Sequence, residues 1–184
     1  MFSDSVGDEL AGLGQKENAG SSLQRQVADL FEECREDVYR YLLTLGLYPP
    51  QAQETAQESF LRLYATLKKG DRIENPRAYV FRIAHNIGLR VRAQQHTVTP
   101  FDPDVEQRLV SSAEDAEHGL IEKEKWLRFH RAVEGLSEQQ KRCLSLRLEG
   151  LRYPEIGSIL GISASAVGEF LRRAMVRLRR IHEE

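Results

Sequence analysis

Cysteine is scarce: Cys34 and Cys143 are the only two in 184 residues, and each sits among apolar residues at helical spacing. That pattern fits buried free thiols in a reducing compartment and leaves no disulfide framework. The five histidines, His85, His96, His118, His130 and His182, share no ligand spacing with one another or with the cysteines, so no metal site is expected. No apolar run approaches the ~18 residues that a membrane span requires, which excludes direct insertion into a bilayer. The N-terminus has no basic start followed by an apolar core, so it is no secretory signal, and a cytoplasmic protein is expected. Paired carboxylates in a cleft, a Ser or Cys nucleophile with His, and a phosphate-cradling glycine loop are all missing. An enzyme is therefore not expected, nor any cofactor.

Charge of one sign is also lacking overall, the formal net charge being -2, which argues against a generic binder of polyanions. Its distribution is uneven, however. Between Lys68 and Arg92 seven basic residues (Lys68, Lys69, Arg72, Arg77, Arg82, Arg90, Arg92) meet two acids, Asp71 and Glu74. Between Thr99 and His118 six acids (Asp102, Asp104, Glu106, Glu114, Asp115, Glu117) meet Arg108 alone, and from Leu171 to His182 five arginines meet no acid. Basic, acidic, basic is the pattern of a binder with two nucleic-acid sites and an acidic connector.

The apolar periodicity is helical throughout, and no strand pattern or internal repeat occurs. A first helix is expected from about Leu23 to Leu45, with Val27, Leu30, Phe31, Cys34, Val38, Tyr41, Leu42 and Leu45 as its stripe and Gly46 as its stop. After "LYPP" a second helix carries Ala52, Ala56, Phe60, Leu63 and Leu67 on one face and Gln53, Glu54, Gln57, Glu58 and Arg62 on the other, and Gly70 ends it. A third opens with Asn75 as N-cap and Pro76 at the first helical position, its stripe running through Tyr79, Val80, Ile83, Ile87 and Val91. The irregular stretch that follows, about 25 residues with two prolines, reads as a linker. Beyond it, Leu120 to Leu136 forms a helix, Ser137 and Gln140 form a capping box, and Gly150 ends the next helix. Pro154 then starts a short helix, Gly161 makes the turn, and Ser163 caps a last helix with Val167, Leu171, Ala174, Leu178 and Ile181 inward. Two helices joined by a tight glycine-containing turn form a helix-turn-helix.

The fold expected is all-α: an N-terminal helical bundle and a C-terminal helix-turn-helix, joined by a flexible acidic linker. The boundaries are a disordered arm at 1–22, the bundle at 23–93, the linker at 94–118 and the second module at 119–184. A helix seated in the major groove needs small or polar residues near base edges and basic ones on phosphates. Outward on the last helix stand Ala164, Ser165, Gly168, Glu169, Arg172 and Arg173, of which Glu169 can accept from cytosine N4. In the bundle, Arg77, Tyr79, Phe81, Arg82, His85 and Arg92 interleave positive charge with rings, as single-stranded nucleic acid requires, although Tyr79 or Phe81 taken alone reads as a core position.

The segments "PQAQETAQESFLRLY", "NPRAYVFRIAHNIGL" and "LSEQQKRCLSLRLEGLRYPEIGSILGISASAVGEFLRRAMVRLRR", in that order around an irregular linker, resemble bacterial sigma factors of the extracytoplasmic-function group. The resemblance covers about Leu23 to Ile181. It implies an alternative sigma factor that gives RNA polymerase core its promoter recognition. Glu54, Gln57, Glu58 and Arg62 would then dock on the clamp of the largest polymerase subunit. Asn75, Arg77, Tyr79, Arg82 and Asn86 would capture the melted −10 element. Ser163, Ser165, Gly168, Glu169, Arg172 and Arg173 would read the −35 element of promoter DNA, the acidic linker would run toward the RNA exit path, and an anti-sigma factor is the expected regulatory partner. The chain departs from the family where Gly168-Glu169-Phe170 replaces a common Lys-Ser-Arg, where Gly157 replaces a small residue such as Ala, and where Arg90-Val91-Arg92-Ala93 replaces Asp followed by two arginines. The rival reading is a stand-alone helix-turn-helix regulator with a helical dimerisation domain, which predicts duplex binding without polymerase at a symmetric site.

Overall fold

The computed structural model describes residues 5–98 and 130–179, with side chains described over 21–95 and 130–179. Among them every regular element is an α-helix, and the chain divides into two compact units, Met1–Gly88 and Leu89–Glu184. The all-α class is as expected.

The first unit holds α1 (Ser5–Thr44), α2 (Pro49–Lys68) and most of α3 (Pro76–Val98). α1 begins at Ser5, where the sequence suggested a disordered arm. No proline precedes Pro49, and glycines weaken a helix by about 1 kcal/mol each without removing a backbone donor, so nothing blocks the hydrogen-bond ladder. α2 starts on its two prolines, which need no N–H partner there, and the Tyr48 N–H donates to Gln51 Oε1 at 3.3 Å. α3 starts as its sequence dictates, with the Ala78 N–H donating to Asn75 Oδ1 at 3.0 Å. It continues to Val98, past the expected linker start at residue 94, because the first breaker is Pro100. The remainder of the linker and the helix expected from Leu120 up to residue 129 lie outside the described residues.

The core of this unit joins Val38, Tyr41 and Leu42 of α1, and Leu45 just after it, to Ala52, Ala56, Phe60 and Leu63 of α2, and the Phe31 and Phe60 rings meet edge to face at 5.0 Å. α3 turns differently from its expected stripe: Val80, Phe81, Ala84 and His85 are buried, while Tyr79, Ile83, Ile87 and Val91 are half-buried. Gly88 explains the rotation. A Cβ there would stand 2.8 Å from Leu45 Cδ2 and 2.9 Å from Leu42 Cδ2, so a bare glycine face lets α3 press close on α1.

The second unit contains a helical stretch at 130–134, then α4 (Glu138–Leu148), α5 (Tyr153–Leu160) and α6 (Ala164–Arg179). The capping box forms as read: the Ser137 N–H donates to Gln140 Oε1 at 2.8 Å and the Gln140 N–H to Ser137 Oγ at 3.3 Å. Leu136, Cys143, Leu146, Leu151, Ile156, Ile159, Val167, Leu171 and Ala174 make the core. Both cysteines are buried free thiols, each pushed up to about 11 by burial. Between α5 and α6 the chain reverses at Gly161, whose φ of 68° is left-handed, and the Ile162 N–H returns to the Gly157 carbonyl at 3.0 Å. Gly157 packs directly against the backbone of the turn, since a Cβ there would meet the Ile162 carbonyl oxygen at 2.6 Å.

Candidate nucleic-acid and polymerase interfaces

α2 buries Ala52, Thr55, Ala56, Ser59, Phe60 and Leu63, which leaves its opposite face in solvent. Glu54, Gln57 and Arg62 are exposed there, and half-buried Glu58 accepts from Arg62 Nε at 2.7 Å. Leu61 stands among them, 57% exposed. The docking residues named from the sequence thus share one face, but that reading passed over Leu61. The signal was available: Leu61 is an apolar residue lying off the stripe that packs the helix.

The residues assigned to the −10 element separate into two groups. Tyr79, Arg82 and Asn86 follow one another at three- and four-residue steps on α3, with the Arg82 guanidinium 4.8 Å from the Tyr79 ring centroid. Arg82 and Asn86 are exposed and Tyr79 is half-buried, so charge and a ring face lie side by side. Arg77 points elsewhere. Its Nη2 donates to Asp37 Oδ2 of α1 at 2.6 Å, and its guanidinium lies 5.6 Å from the centroid of the Phe81 ring. Partial burial tends to raise the Asp37 carboxyl, but the hydrogen bond and charge of Arg77, with help from Arg40, hold it below the usual carboxylate value. Asp37 gave no signal in the sequence, being 40 residues from its partner.

His85 is a correction to the charge-and-ring pattern read from the sequence, and Phe81 takes the core place expected of a single ring. Phe81 is fully buried, and His85 is 5% exposed with Nδ1 2.7 Å from the Tyr41 hydroxyl. Both are core, because they fall on the side of α3 that Gly88 brings against α1. Near the start of α3 a cavity of about 300 Å³ opens, lined by Val27, Leu30, Leu63, Asn75 and Arg77 among others. Asn75 therefore both caps α3 and borders this cavity.

Ser163, just before α6, and Ala164, Ser165, Arg172 and Arg173 on it are exposed, and Gly168 and Glu169 are half-buried. Ser163 Oγ accepts from the Ala166 N–H at 3.1 Å and lies 3.1 Å from Ser165 Oγ. Gly168 faces Tyr153, whose ring would stand 3.5 Å from an added Cβ. The carboxylate of Glu169 receives Arg172 Nε and Nη2 at 2.9 and 2.8 Å and Arg173 Nε at 2.7 Å. The hydrogen bonds from Arg172 and then Arg173 pull its pKa down to about 2, so it stays ionised at neutral pH. Phe170 is half-buried.

Among the described residues no group of three or more His, Cys, Asp or Glu is placed to hold a metal ion, and no helix is long and apolar enough to cross a membrane.

Two family models match this arrangement: Sigma-70 region 2 over residues 30–96 and Sigma-70, region 4, over residues 126–178. The ECF RNA polymerase sigma factor SigM of Bacillus subtilis (strain 168) is 25% identical over 158 residues, which span 85% of this chain and 94% of SigM. In fold, the chain is similar to the sigma factor RpoE solved with the anti-sigma factor NepR from Bartonella quintana, with a TM-score of 0.59 at 17% identity over 86% of this chain and 98% of that one. It is equally similar to CnrH solved with the cytosolic domain of CnrY, with a TM-score of 0.59 at 20% identity over 91% and 94% of the two chains. With both regions matched in order, the chain belongs to the sigma-70 family and is an extracytoplasmic-function sigma factor, an alternative sigma factor of transcription initiation.

Proposed function

We propose that this sigma factor binds RNA polymerase core through the outward face of α2, captures the melted −10 element with the start of α3, and reads the −35 element with α6. The observation that carries the reading is the α2 face, where Leu61 is 57% exposed beside Glu54, Gln57, Glu58 and Arg62. An exposed leucine ringed by hydrogen-bonding groups is the composition of a contact patch: an apolar centre and a polar rim. On α3, Tyr79, Arg82 and Asn86 supply a ring face, a cation and an amide to unstacked bases. The cavity beside Asn75 is a place for one extruded base, while Arg77 braces the site through Asp37.

On this reading residues 23–93 form region 2 and 119–184 form region 4. The acidic linker at 94–118 threads toward the RNA exit path, where negative charge takes the place of RNA. The protein works in the cytoplasm with core polymerase. A net charge of -2 suits it, because tight duplex binding by the free chain is not needed. RpoE and CnrH were each solved with a protein partner, RpoE with an anti-sigma factor, and an anti-sigma factor is proposed as the regulator here.

Gel filtration of the chain with purified core, followed by run-off transcription, tests the assignment. Co-elution and initiation from a promoter carrying both elements are expected. Specific binding of a symmetric duplex by the chain as a dimer, with no affinity for core, would instead establish a stand-alone regulator.

A further inference from the structure

Glu169 fits poorly with a DNA-reading helix, because a carboxylate at the groove repels phosphates. Its contacts suggest a reason for it. The guanidinium of Arg172 gives its side-on edge, Nε and one Nη2 hydrogen, to the two carboxylate oxygens at 2.9 and 2.8 Å. A guanidinium carries five N–H groups in one plane, so the end-on edge, formed by Nη1 and the second Nη2 hydrogen, remains as a parallel pair of donors. That pair matches the O6 and N7 acceptors that guanine presents in the major groove.

We propose that Glu169 is a positioning residue that holds Arg172 with its end-on edge toward the major groove, so that α6 reads a guanine through Arg172 instead of a cytosine through Glu169. The proposal rests on the −35 reading given above. Three further features support it. The Arg172 side chain is 64% exposed, so its outer edge reaches a ligand while its inner edge stays paired. Arg173 adds its Nε at 2.7 Å, which fills the carboxylate further and turns away the N4 donor of a cytosine. One carboxylate against two guanidinium groups still leaves the patch positive, so attraction to phosphates survives.

Both readings select the same G·C pair, so base-pair preference alone does not separate them. Replacing the guanine by 7-deazaguanine does, since it removes N7 and leaves cytosine N4 untouched. Holoenzyme reconstituted from core and the full chain is assayed for initiation on templates carrying every base pair at each −35 position, and then on 7-deazaguanine templates. The expected result is a loss of about tenfold or more at one position with 7-deazaguanine. Glu169→Gln loses discrimination at that position by a similar factor, binding to random duplex stays level or rises, and adding Glu169→Gln to Arg172→Ala changes nothing further. A wild-type protein indifferent to 7-deazaguanine whose preference vanishes in Glu169→Gln reads cytosine directly, and the proposal falls. A preference lost in Arg172→Ala but kept in Glu169→Gln leaves the −35 reading standing and removes the positioning role. If neither variant nor any −35 change matters, the −35 reading itself fails.

Discussion

Leu61→Arg is expected to weaken association with RNA polymerase core by about a hundredfold or more while the helical content and thermal midpoint of the chain stay unchanged. Leu61 takes no part in the core of the first unit, so its replacement leaves no cavity. Against a partner, the remaining exposed area of a leucine is worth about 1–2 kcal/mol on burial. An arginine at the same place adds an unpaired cation to a closing interface, which costs several kcal/mol more. Neighbouring Gln57 and Glu58 would lie at the polar rim of the proposed interface, where single truncations have smaller effects. The measurement is a titration of labelled core with each variant. Unchanged affinity for Leu61→Arg would remove α2 as the docking helix.

Gly157→Val is expected to destabilise the second unit by about 3 kcal/mol and to abolish initiation that depends on the −35 element. The cause is steric. A Cβ at residue 157 would stand 2.6 Å from the Ile162 carbonyl oxygen and 3.4 Å from the Ala164 nitrogen, both backbone atoms that cannot swing aside. Opening that contact moves α5 away from α6 and disturbs the Ile162-to-Gly157 hydrogen bond at 3.0 Å that closes the turn. Gly157→Ala carries the same first atom, and the better helix propensity of alanine, about 1 kcal/mol, offsets part of its cost. Calorimetry of the full chain reads the loss, with Gly168→Ala as the control. There the nearest atom is a Tyr153 ring carbon at an ordinary 3.5 Å, so no loss is expected. Equal stability of Gly157→Val and the parent would show that the turn is looser than described.

Local signals were legible in the sequence and long-range ones were not. Asn75, Ser137 with Gln140, and Ser163 cap helices as their neighbours dictate, and Gly46, Gly70 and Gly150, which end helices, and Gly161, which makes the turn, all carry positive φ. These features depend on residues a few positions apart. The rotation of α3 depends on Gly88 meeting Leu42 and Leu45, far off in the chain, and so the charge-and-ring pattern legible from Arg77 to Arg92 includes Phe81 and His85, which are core. The Arg77 ion pair with Asp37 was hidden for the same reason. On α6, Ala164, Ser165, Arg172 and Arg173 are exposed as their spacing predicts and Gly168 and Glu169 are half-buried, while a residue-by-residue reading of that face misses that Glu169 lies within reach of Arg172 and Arg173. Helix geometry makes them one cluster.

Permanganate reactivity of promoter thymines is the most direct test of the central assignment, because it reports unpaired bases in the −10 element. Core together with this chain is expected to make those thymines reactive, core or chain separately is not, and Arg82→Ala is expected to reduce the signal several-fold. Thymines that stay protected with core and chain together, on templates where the −35 element is bound, would contradict the account.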